Sequence, residues 1–230
     1  MELYGLEKLS LVDYDGKVAS TVFTGSCNYK CGFCHNDELV TEADTLKTIP
    51  ENDVLDYFRS RKNILDGVCI SGGEPTLQKD LPHFCEKIKS LGLSVKLDTN
   101  GTDFDTVKSL AESGIVDYFA MDVKNCLEKY PLTTGVKNPL LTEIEKTIDF
   151  FLSDGCDYEF RTTIIKEYHS KNDIVSLAKR IKGAKRYFLQ KFKNVDTCIN
   201  KTLNEIPLCD AEDYLSSVRE FVPSAKLRGY

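Results

Sequence analysis

Two hydrophobic patterns alternate along the chain. Short runs of β-branched and aromatic residues predict strands, and each run precedes a segment with apolar residues every three or four positions, which predicts a helix. The predicted strands cover residues 18–24, 67–71, 93–98, 117–123, 158–165 and 186–192. The predicted helices cover about 51–62, 80–91, 104–113, 140–152, 173–182 and 211–221. Six such units favour an α/β fold with a parallel sheet.

Periodicity alone leaves two architectures open, a doubly wound open sheet and a barrel. Unusual residues follow four consecutive predicted strands: a cysteine-rich loop, then Ser71-Gly72-Gly73-Glu74-Pro75, Asp98-Thr99-Asn100-Gly101 and Asp122-Val123-Lys124-Asn125. A barrel brings the carboxyl end of every strand to one mouth, whereas a doubly wound sheet gathers ligands at one switch point. Eight units normally close a barrel, so we expect an incomplete (β/α)6 TIM-like barrel with parallel strands.

Length and composition describe an ordinary globular chain. We expect residues 1–230 to form a single domain, with an N-terminal extension over about 1–17 and a C-terminal helix and tail over about 210–230. The net charge of −6 gives no attraction to phosphate backbones or anionic lipids, so neither nucleic acid nor a membrane is an expected partner. No apolar run is long enough for a membrane span or a signal peptide, which predicts a cytoplasmic protein.

The strongest chemical signal is the loop Cys27-Asn28-Tyr29-Lys30-Cys31-Gly32-Phe33-Cys34. Thiolates separated by three and two residues can converge on one ion or cluster, and Gly32 relaxes the backbone between them. Structural zinc normally takes four ligands, and an electron-transfer [4Fe–4S] cluster four cysteines, so three cysteines leave one metal position open for chemistry. The alternatives are a zinc site completed by His35 or His169, or three reactive thiols.

This spacing, with an aromatic residue before the last cysteine, resembles the signature of radical S-adenosylmethionine (SAM) enzymes. The resemblance implies that Cys27, Cys31 and Cys34 hold a [4Fe–4S] cluster whose fourth iron is chelated by SAM. One electron from the cluster would then cleave SAM to a 5′-deoxyadenosyl radical. Gly72-Gly73-Glu74-Pro75 resembles the GGEP motif that holds the methionyl ammonium of SAM. The chemistry agrees, because glycines permit close backbone approach and a carboxylate pairs with an ammonium.

Further motifs resemble those of the activating enzymes of glycyl-radical enzymes, namely Cys34-His35-Asn36, Asp98-Thr99-Asn100-Gly101 and Asp122-Val123-Lys124. The resemblance implies that Asp98, Thr99, Asn100, Asp122 and Lys124 line the SAM pocket. The two aspartates would help to hold a monovalent cation beside the SAM carboxylate. The alternative for both aspartates is helix capping or a surface turn, and Lys124 either balances nearby carboxylates or is solvated.

Arg161 lies in an otherwise apolar and hydroxyl-bearing predicted strand. An inward arginine is costly unless it meets an anion, and the resemblance implies the carboxylate or ribose of SAM. The alternative is an outward arginine at a sheet edge. Phe33 is expected to cover the cluster and to back the adenine. No side chain is expected to act as acid, base or nucleophile, because the cofactors supply the chemistry.

The resemblance is strongest to the short single-domain activators of anaerobic ribonucleoside-triphosphate reductase, from about Ser20 to the end. It implies a glycyl-radical enzyme as partner, a flavodoxin- or ferredoxin-like electron donor, and hydrogen-atom removal from a partner glycine. Many such activators have a histidine in the sixth-strand segment, where this chain has Leu189-Gln190-Lys191-Phe192. Two alternatives remain: a radical SAM enzyme for a small molecule, such as a 7-carboxy-7-deazaguanine synthase-like enzyme, and a metal-binding module without turnover.

The chain contains nine cysteines, and with no export signal disulfides are not expected. The six outside the loop form no CxxC pair, which predicts a single cluster: Cys69, Cys85, Cys126, Cys156, Cys198 and Cys209. Cys69 and Cys85 are interpreted as small core residues. The terminal Arg228-Gly229-Tyr230 is interpreted as a chain end that docks on the barrel.

Overall fold

The structure, a computed structural model, describes residues 1–153 and 155–230. Within them, eight strands form one sheet in chain order: β1 Leu3–Ser10, β2 Ala19–Thr24, β3 Gly67–Gly72, β4 Ser94–Thr99, β5 Tyr118–Asp122, β6 Tyr158–Ile164, β7 Tyr187–Lys191 and β8 Lys226–Arg228. β1 is antiparallel to β2, and every later pairing is parallel. β1 and β8 stand at the two edges of the sheet, which therefore remains open as an incomplete barrel.

Helices connect these strands. The helices of the described residues are α1 Asp37–Thr41, α2 Glu51–Arg61, α3 Leu81–Ser90, α4 Phe104–Glu112, α5 Tyr130–Thr134, α6 Leu141–Leu152, α7 Lys171–Arg180 and α8 Leu208–Val218. All six predicted helices are present, because each has a continuous apolar face to bury. On α6, for example, Ile144, Ile148 and Phe151 are fully buried. In residues 1–153 and 155–230, no helix combines the length and apolar character that crossing a membrane requires.

The prediction of an incomplete parallel barrel is confirmed, and all six predicted strands are present as β2 to β7. The sheet has two strands more than predicted, because it takes up part of the N-terminal extension and part of the C-terminal tail. β1 lacks a clean alternation, since three consecutive residues, Glu7, Lys8 and Leu9, are exposed. β8 has only three residues, of which Arg228 pairs with Gln190 of β7. The expectation that the chain end docks on the barrel is therefore confirmed.

Strand alternation separates an apolar outer layer from a polar lumen. Val68, Leu97, Phe119 and Phe160 are fully buried against the helix layer. Residues at odd spacings from them along the same strands point the other way and line a cavity at the carboxyl ends: Ser71, Asp98, Asp122, Arg161 and Thr163. The lumen thus presents charged and hydroxyl groups where the helix-facing side presents hydrocarbon.

Candidate active site

One cavity at the carboxyl ends of β2 to β6 collects every predicted site residue except Pro75: Cys27, Cys31, Phe33, Cys34, Gly72, Gly73, Glu74, Asp98, Thr99, Asn100, Asp122, Lys124 and Arg161. Pro75 is buried and begins the short 3₁₀ turn Pro75–Leu77, a first position that its fixed φ suits. Tyr29, His35, Asn36, Val40, Ser71 and Thr163 also line the cavity. Strand alternation could have found Thr163, which lies two positions beyond Arg161.

Side-chain amides tie the cysteine loop, residues 27–34, to the neighbouring strand ends. Asn100 Nδ2 donates to Asn28 Oδ1 at 2.8 Å, and Asn28 Nδ2 donates to Thr102 Oγ1 at 2.8 Å. Asn36 Nδ2 donates to the carbonyl oxygen of Gly72 at 3.1 Å. The loop is therefore bonded to the segment after β4, and Asn36, two residues beyond the loop, is bonded to the end of β3.

Gly32 is required by close packing. Its carbonyl oxygen accepts from the backbone N–H of Asn200 at 2.7 Å, and an added Cβ would lie 2.8 Å from the Tyr168 hydroxyl. The expectation of backbone relaxation is thus replaced by a steric requirement. The segment around Asn200, between β7 and α8, is a support of the cysteine loop that the sequence did not reveal.

The three loop cysteines are shielded thiols. Burial raises the pKa of Cys27 to about 12 and the pKa of Cys31 to about 11, and it also raises the pKa of Cys34. A metal or cluster binding here must therefore displace protons. In residues 1–153 and 155–230, no three His, Cys, Asp or Glu side chains are grouped to hold one metal ion. A [4Fe–4S] cluster does not need that grouping, because each cysteine binds a different iron.

Both histidines of the zinc alternative already have backbone partners. His35 Nε2 lies 2.8 Å from the carbonyl oxygen of Lys193. His169 Nδ1 accepts from the backbone N–H of Ile165 at 3.0 Å, and its Nε2 lies 2.8 Å from the carbonyl oxygen of Lys124. Binding of zinc by any of these three nitrogens would break a hydrogen bond, so this geometry does not favour His169 as the fourth ligand.

Gly72 and Gly73 are needed where two loops meet. Gly72 has φ +114°, and an added Cβ would lie 2.4 Å from the backbone of Thr24. A Cβ on Gly73 would lie 1.9 Å from the carbonyl oxygen of Ser26. The glycines were expected to allow approach to a ligand, but they first of all allow the loop after β3 to pack on the end of β2.

Glu74 is a buried carboxylate held by neutral donors. Its Oε1 accepts from the hydroxyls of Thr76 and Thr99, each at 2.7 Å, and its Oε2 accepts from the backbone N–H of Asn100 at 2.7 Å. Only 1% of the residue is exposed. Burial raises the pKa of Glu74 against these hydrogen bonds. No ion pair between described residues includes Glu74, which leaves an uncompensated negative charge at the cavity wall.

Five charged residues alternate in sign across the lumen and form a charge ladder: Lys96, Asp98, Arg161, Asp122 and Lys124. Its ion pairs join Lys96 to Asp98 at 3.5 Å, Arg161 to Asp98 at 3.2 Å, Arg161 to Asp122 at 2.7 Å and Lys124 to Asp122 at 2.9 Å. The predicted inward position of Arg161 is thus observed, and its anions include two aspartates of this chain. The ladder carries one positive charge in excess.

The ladder sets the protonation of its members. Burial alone would raise the pKa of Asp122, but Arg161 and Lys124 outweigh burial and lower it. Burial would lower the pKa of Lys124, and Asp122 raises it instead. One atom is left over, because Asp98 Oδ1 is buried without a hydrogen-bond partner in the described part of the chain. The ammonium of Lys124 also lies 5.6 Å from the centre of the Phe33 ring, which places it beside the cysteine loop.

Comparisons with known proteins agree with this arrangement. Residues 21–181 match the Radical SAM superfamily. A Methanocaldococcus jannaschii protein, provisionally named a glycyl-radical enzyme activating enzyme, is 34% identical over 84% of this chain and 80% of its own length. The 7-carboxy-7-deazaguanine synthase of Thermoplasma acidophilum is 27% identical over 67% of this chain and 70% of its own length.

Among solved structures, Streptococcus suis SuiB bound to S-adenosylmethionine aligns with a TM-score of 0.71 at 20% identity. The alignment covers 90% of this chain and 49% of SuiB, so this chain spans about half the length of that protein. The likeness shows a shared fold. Since the superfamily match covers well over half of the sequence, the chain belongs to the radical SAM superfamily.

Proposed function

We propose that this chain is an activase that generates a glycyl radical on a partner enzyme, an anaerobic ribonucleotide reductase. Membership of the superfamily implies a [4Fe–4S] cluster and SAM. In the proposal, Cys27, Cys31 and Cys34 hold the cluster, and their place on one wall of a shared cavity supports this role. When bound, the reduced cluster would supply the electron for cleavage of SAM, the chemistry that hydrogen-atom removal from a partner glycine requires.

The observation that carries the SAM-binding part of the proposal is the uncompensated charge of Glu74. A buried carboxylate without a cation is costly, and an ammonium beside it would relieve that cost. SAM carries such an ammonium on its methionyl group. Thr99 and Asn100 act on Glu74, because their hydrogen bonds hold the carboxylate in place at the end of β4.

The excess positive charge of the ladder suits the carboxylate of SAM. Lys124 and Arg161 would attract it, while Asp98 and Asp122 keep both cations oriented. The monovalent cation stays a prediction. Among the described residues Asp98 Oδ1 accepts no hydrogen bond, although it forms an ion pair with Lys96 Nζ at 3.5 Å. Phe33 would cover the cluster and back the adenine. Its buried ring would thereby help to exclude water from the reacting groups.

Two observations support a protein partner for this chain. The M. jannaschii relative carries the name of an activating enzyme, and it spans most of this chain. The described sheet has two free edges, β1 and β8, so the barrel is open at its side and can admit a loop of another protein. We further propose a flavodoxin- or ferredoxin-like protein as the donor.

Anaerobic reconstitution tests the proposal. We expect about four irons per chain, a reduced cluster whose EPR spectrum changes with SAM, and release of 5′-deoxyadenosine. Cys31→Ala should abolish all three, whereas the exposed Cys209→Ala is the matched control and should keep them. A glycyl-radical EPR signal on a reductase encoded in the same genome would support the activase. SAM cleavage without such a signal on any candidate partner would reject it.

The Thermoplasma relative favours a second candidate, a radical SAM enzyme acting on a small molecule. A 7-carboxy-7-deazaguanine synthase would bind its substrate in the same cavity and would need no protein partner. The two candidates separate in one assay with the reconstituted chain. Formation of 7-carboxy-7-deazaguanine without a glycyl radical would support the second candidate and contradict the first.

A further inference from the structure

The turn at residues 165–170, between β6 and α7, contacts two walls of the cavity. Tyr168 packs edge-on against Phe33, with ring centres 6.3 Å apart, and its hydroxyl leaves no room for a side chain at Gly32. The next residue, His169, is 2% exposed and contacts the peptide that follows β5. One short turn therefore touches both the cysteine loop and the segment that carries Lys124.

Two hydrogen bonds join this turn to the segment after β5, and they run in opposite directions. The ring of His169 reaches the carbonyl oxygen of Lys124 at 2.8 Å through Nε2. Asn125 Nδ2 donates to the carbonyl oxygen of Tyr168 at 3.0 Å. On the other side, the backbone N–H of Lys124 donates to the buried hydroxyl of Tyr130 at 3.0 Å. The Lys124 residue is thus held at both its N–H and its C=O.

The hydrogen bonds also determine the tautomer of His169. The backbone N–H of Ile165 donates to Nδ1 at 3.0 Å, so Nδ1 carries no proton. In a neutral ring the proton is then on Nε2, which donates to the carbonyl oxygen of Lys124. Burial lowers the pKa of His169, against the hydrogen bonds and the charge of Asp173, while Lys129 lowers it further. Tyr214 of α8 also faces this residue and donates to its carbonyl oxygen at 3.3 Å.

We propose that His169, as the neutral Nε2–H tautomer, is a positioning residue that fixes the Lys124 peptide and thereby directs its ammonium into the cavity. That ammonium lies 2.9 Å from Asp122 Oδ2 and 5.6 Å from the Phe33 ring centre. A long lysine side chain has many rotamers. Asp122 holds the ammonium at one end of Lys124, and the backbone anchor fixes the other end. The inference rests on the cluster and SAM that superfamily membership implies, and it does not require the partner proposed above.

The tautomer can be read from the wild-type chain by ¹⁵N NMR of histidine-labelled protein before reconstitution. We expect His169 to show a protonated Nε2 and a bare Nδ1 at neutral pH. The exposed His83, on α3, is the internal reference. A proton on Nδ1, or a doubly protonated ring at neutral pH, would overturn the proposal whatever the variants do.

Substitutions test the consequence. The readout is the SAM concentration that produces half of the full change in the EPR spectrum of the reduced cluster. In reconstituted protein, His169→Phe should raise this concentration by about tenfold, since one hydrogen bond to the Lys124 carbonyl is lost. His169→Gln should stay close to wild type, because an amide offers one donor and one acceptor. His83→Phe and His83→Gln are matched controls and should change nothing.

The comparison between the two His169 variants decides whether the role is positional. If His169→Phe needs no more SAM than wild type, or if His169→Gln is as impaired as His169→Phe, the proposal fails. If His169→Phe does not fold, the NMR tautomer and the His169→Gln titration still decide. Because the readout is the response of the cluster to SAM, absence of a glycyl radical would count against the partner and leave this inference standing.

Discussion

Two buried glutamates lie at opposite ends of the barrel lumen, and each has only 1% of its surface exposed. Glu159 lies near the start of β6, at the amino end of the barrel. Its carboxylate accepts from Arg228 Nη1 at 2.8 Å and Nη2 at 3.1 Å, and from the Tyr118 hydroxyl at 2.9 Å. Glu74 follows β3 at the carboxyl end and has only neutral donors. The two carboxylates are therefore equally buried, but only that of Glu159 is paired with a cation.

The pKa values show the consequence. Burial raises the pKa of Glu74, because no cation offsets it. Burial acts on Glu159 as well, but Arg228 and other cations outweigh it and lower the pKa of that carboxyl. A compensated buried charge is part of the scaffold, whereas an uncompensated one in a cavity marks a place for a ligand. This difference supports our proposal that the amino end of the lumen is scaffold and that the carboxyl end is the site.

The largest expected effect on stability comes from removing the cation that pairs with Glu159 at the amino end of the lumen. Arg228→Met leaves Glu159 buried without its ion-pair partner and removes a guanidinium that lies 3.6 Å from the centre of the Phe188 ring. We expect the free energy of unfolding to fall by about 3 kcal/mol, as measured by urea denaturation. Adding Glu159→Gln to Arg228→Met should recover much of the loss, since no unpaired charge remains. A loss below about 1 kcal/mol in the single variant would contradict the scaffold role.

A substitution at Glu74, at the carboxyl end of the lumen, should change SAM binding more than it changes the free energy of unfolding. In either orientation the amide of Glu74→Gln places its NH₂ group against a backbone N–H, that of Thr76 or that of Asn100, so we expect a loss of about 1 kcal/mol in unfolding free energy. It also removes the charge that we propose pairs with the SAM ammonium. The SAM concentration that produces half of the full change in the EPR spectrum of the cluster should therefore rise about tenfold or more.

Glu159→Gln is the matched control for Glu74→Gln, because it changes the same chemical group at the same burial. It should destabilise the chain and leave the SAM response unchanged. The comparison would be contradicted if the SAM response of Glu159→Gln shifted as much as that of Glu74→Gln. It would also be contradicted if Glu74→Gln bound SAM like wild type.

The sequence predicted what has a local signal. The strands β2 to β7 and six helices have apolar periodicity over enough residues to be read directly. The cavity was predictable because its residues follow consecutive parallel strands, whose carboxyl ends must meet at one mouth. Cys27, Cys31 and Cys34 stand close together in the chain, and their spacing alone indicated a shared ligand.

Other features depend on contacts between distant residues and leave no local signal. The inward position of Arg161 was predicted from its cost, but its partner Asp122 lies 39 positions away and had been given another role. The bond between His169 and Lys124 spans 45 positions. The requirement for Gly73 comes from the Ser26 carbonyl on another loop. Such pairings follow from the fold, which the sequence pattern describes only at the level of strands and helices.

The pH dependence of stability should also differ in sign between the two glutamates. For Glu74, whose pKa is raised, the folded chain takes up its proton at a higher pH than the unfolded chain. Its contribution to stability therefore improves as the pH falls toward about 4.5. For Glu159, whose pKa is lowered, the unfolded chain binds the proton first. Its contribution is present above about pH 4.5 and is lost as the pH falls further.

Glutamine variants isolate these two contributions, since an amide does not titrate. Urea denaturation of the chain without cluster, from pH 7 to pH 4, would give the unfolding free energy of wild type, Glu74→Gln and Glu159→Gln. We expect wild type to gain stability relative to Glu74→Gln as the pH falls from 7 toward 4.5, and to lose stability relative to Glu159→Gln below that range. If both differences moved in the same direction, equal burial would outweigh the difference in charge partners, and the distinction between scaffold and site would not hold.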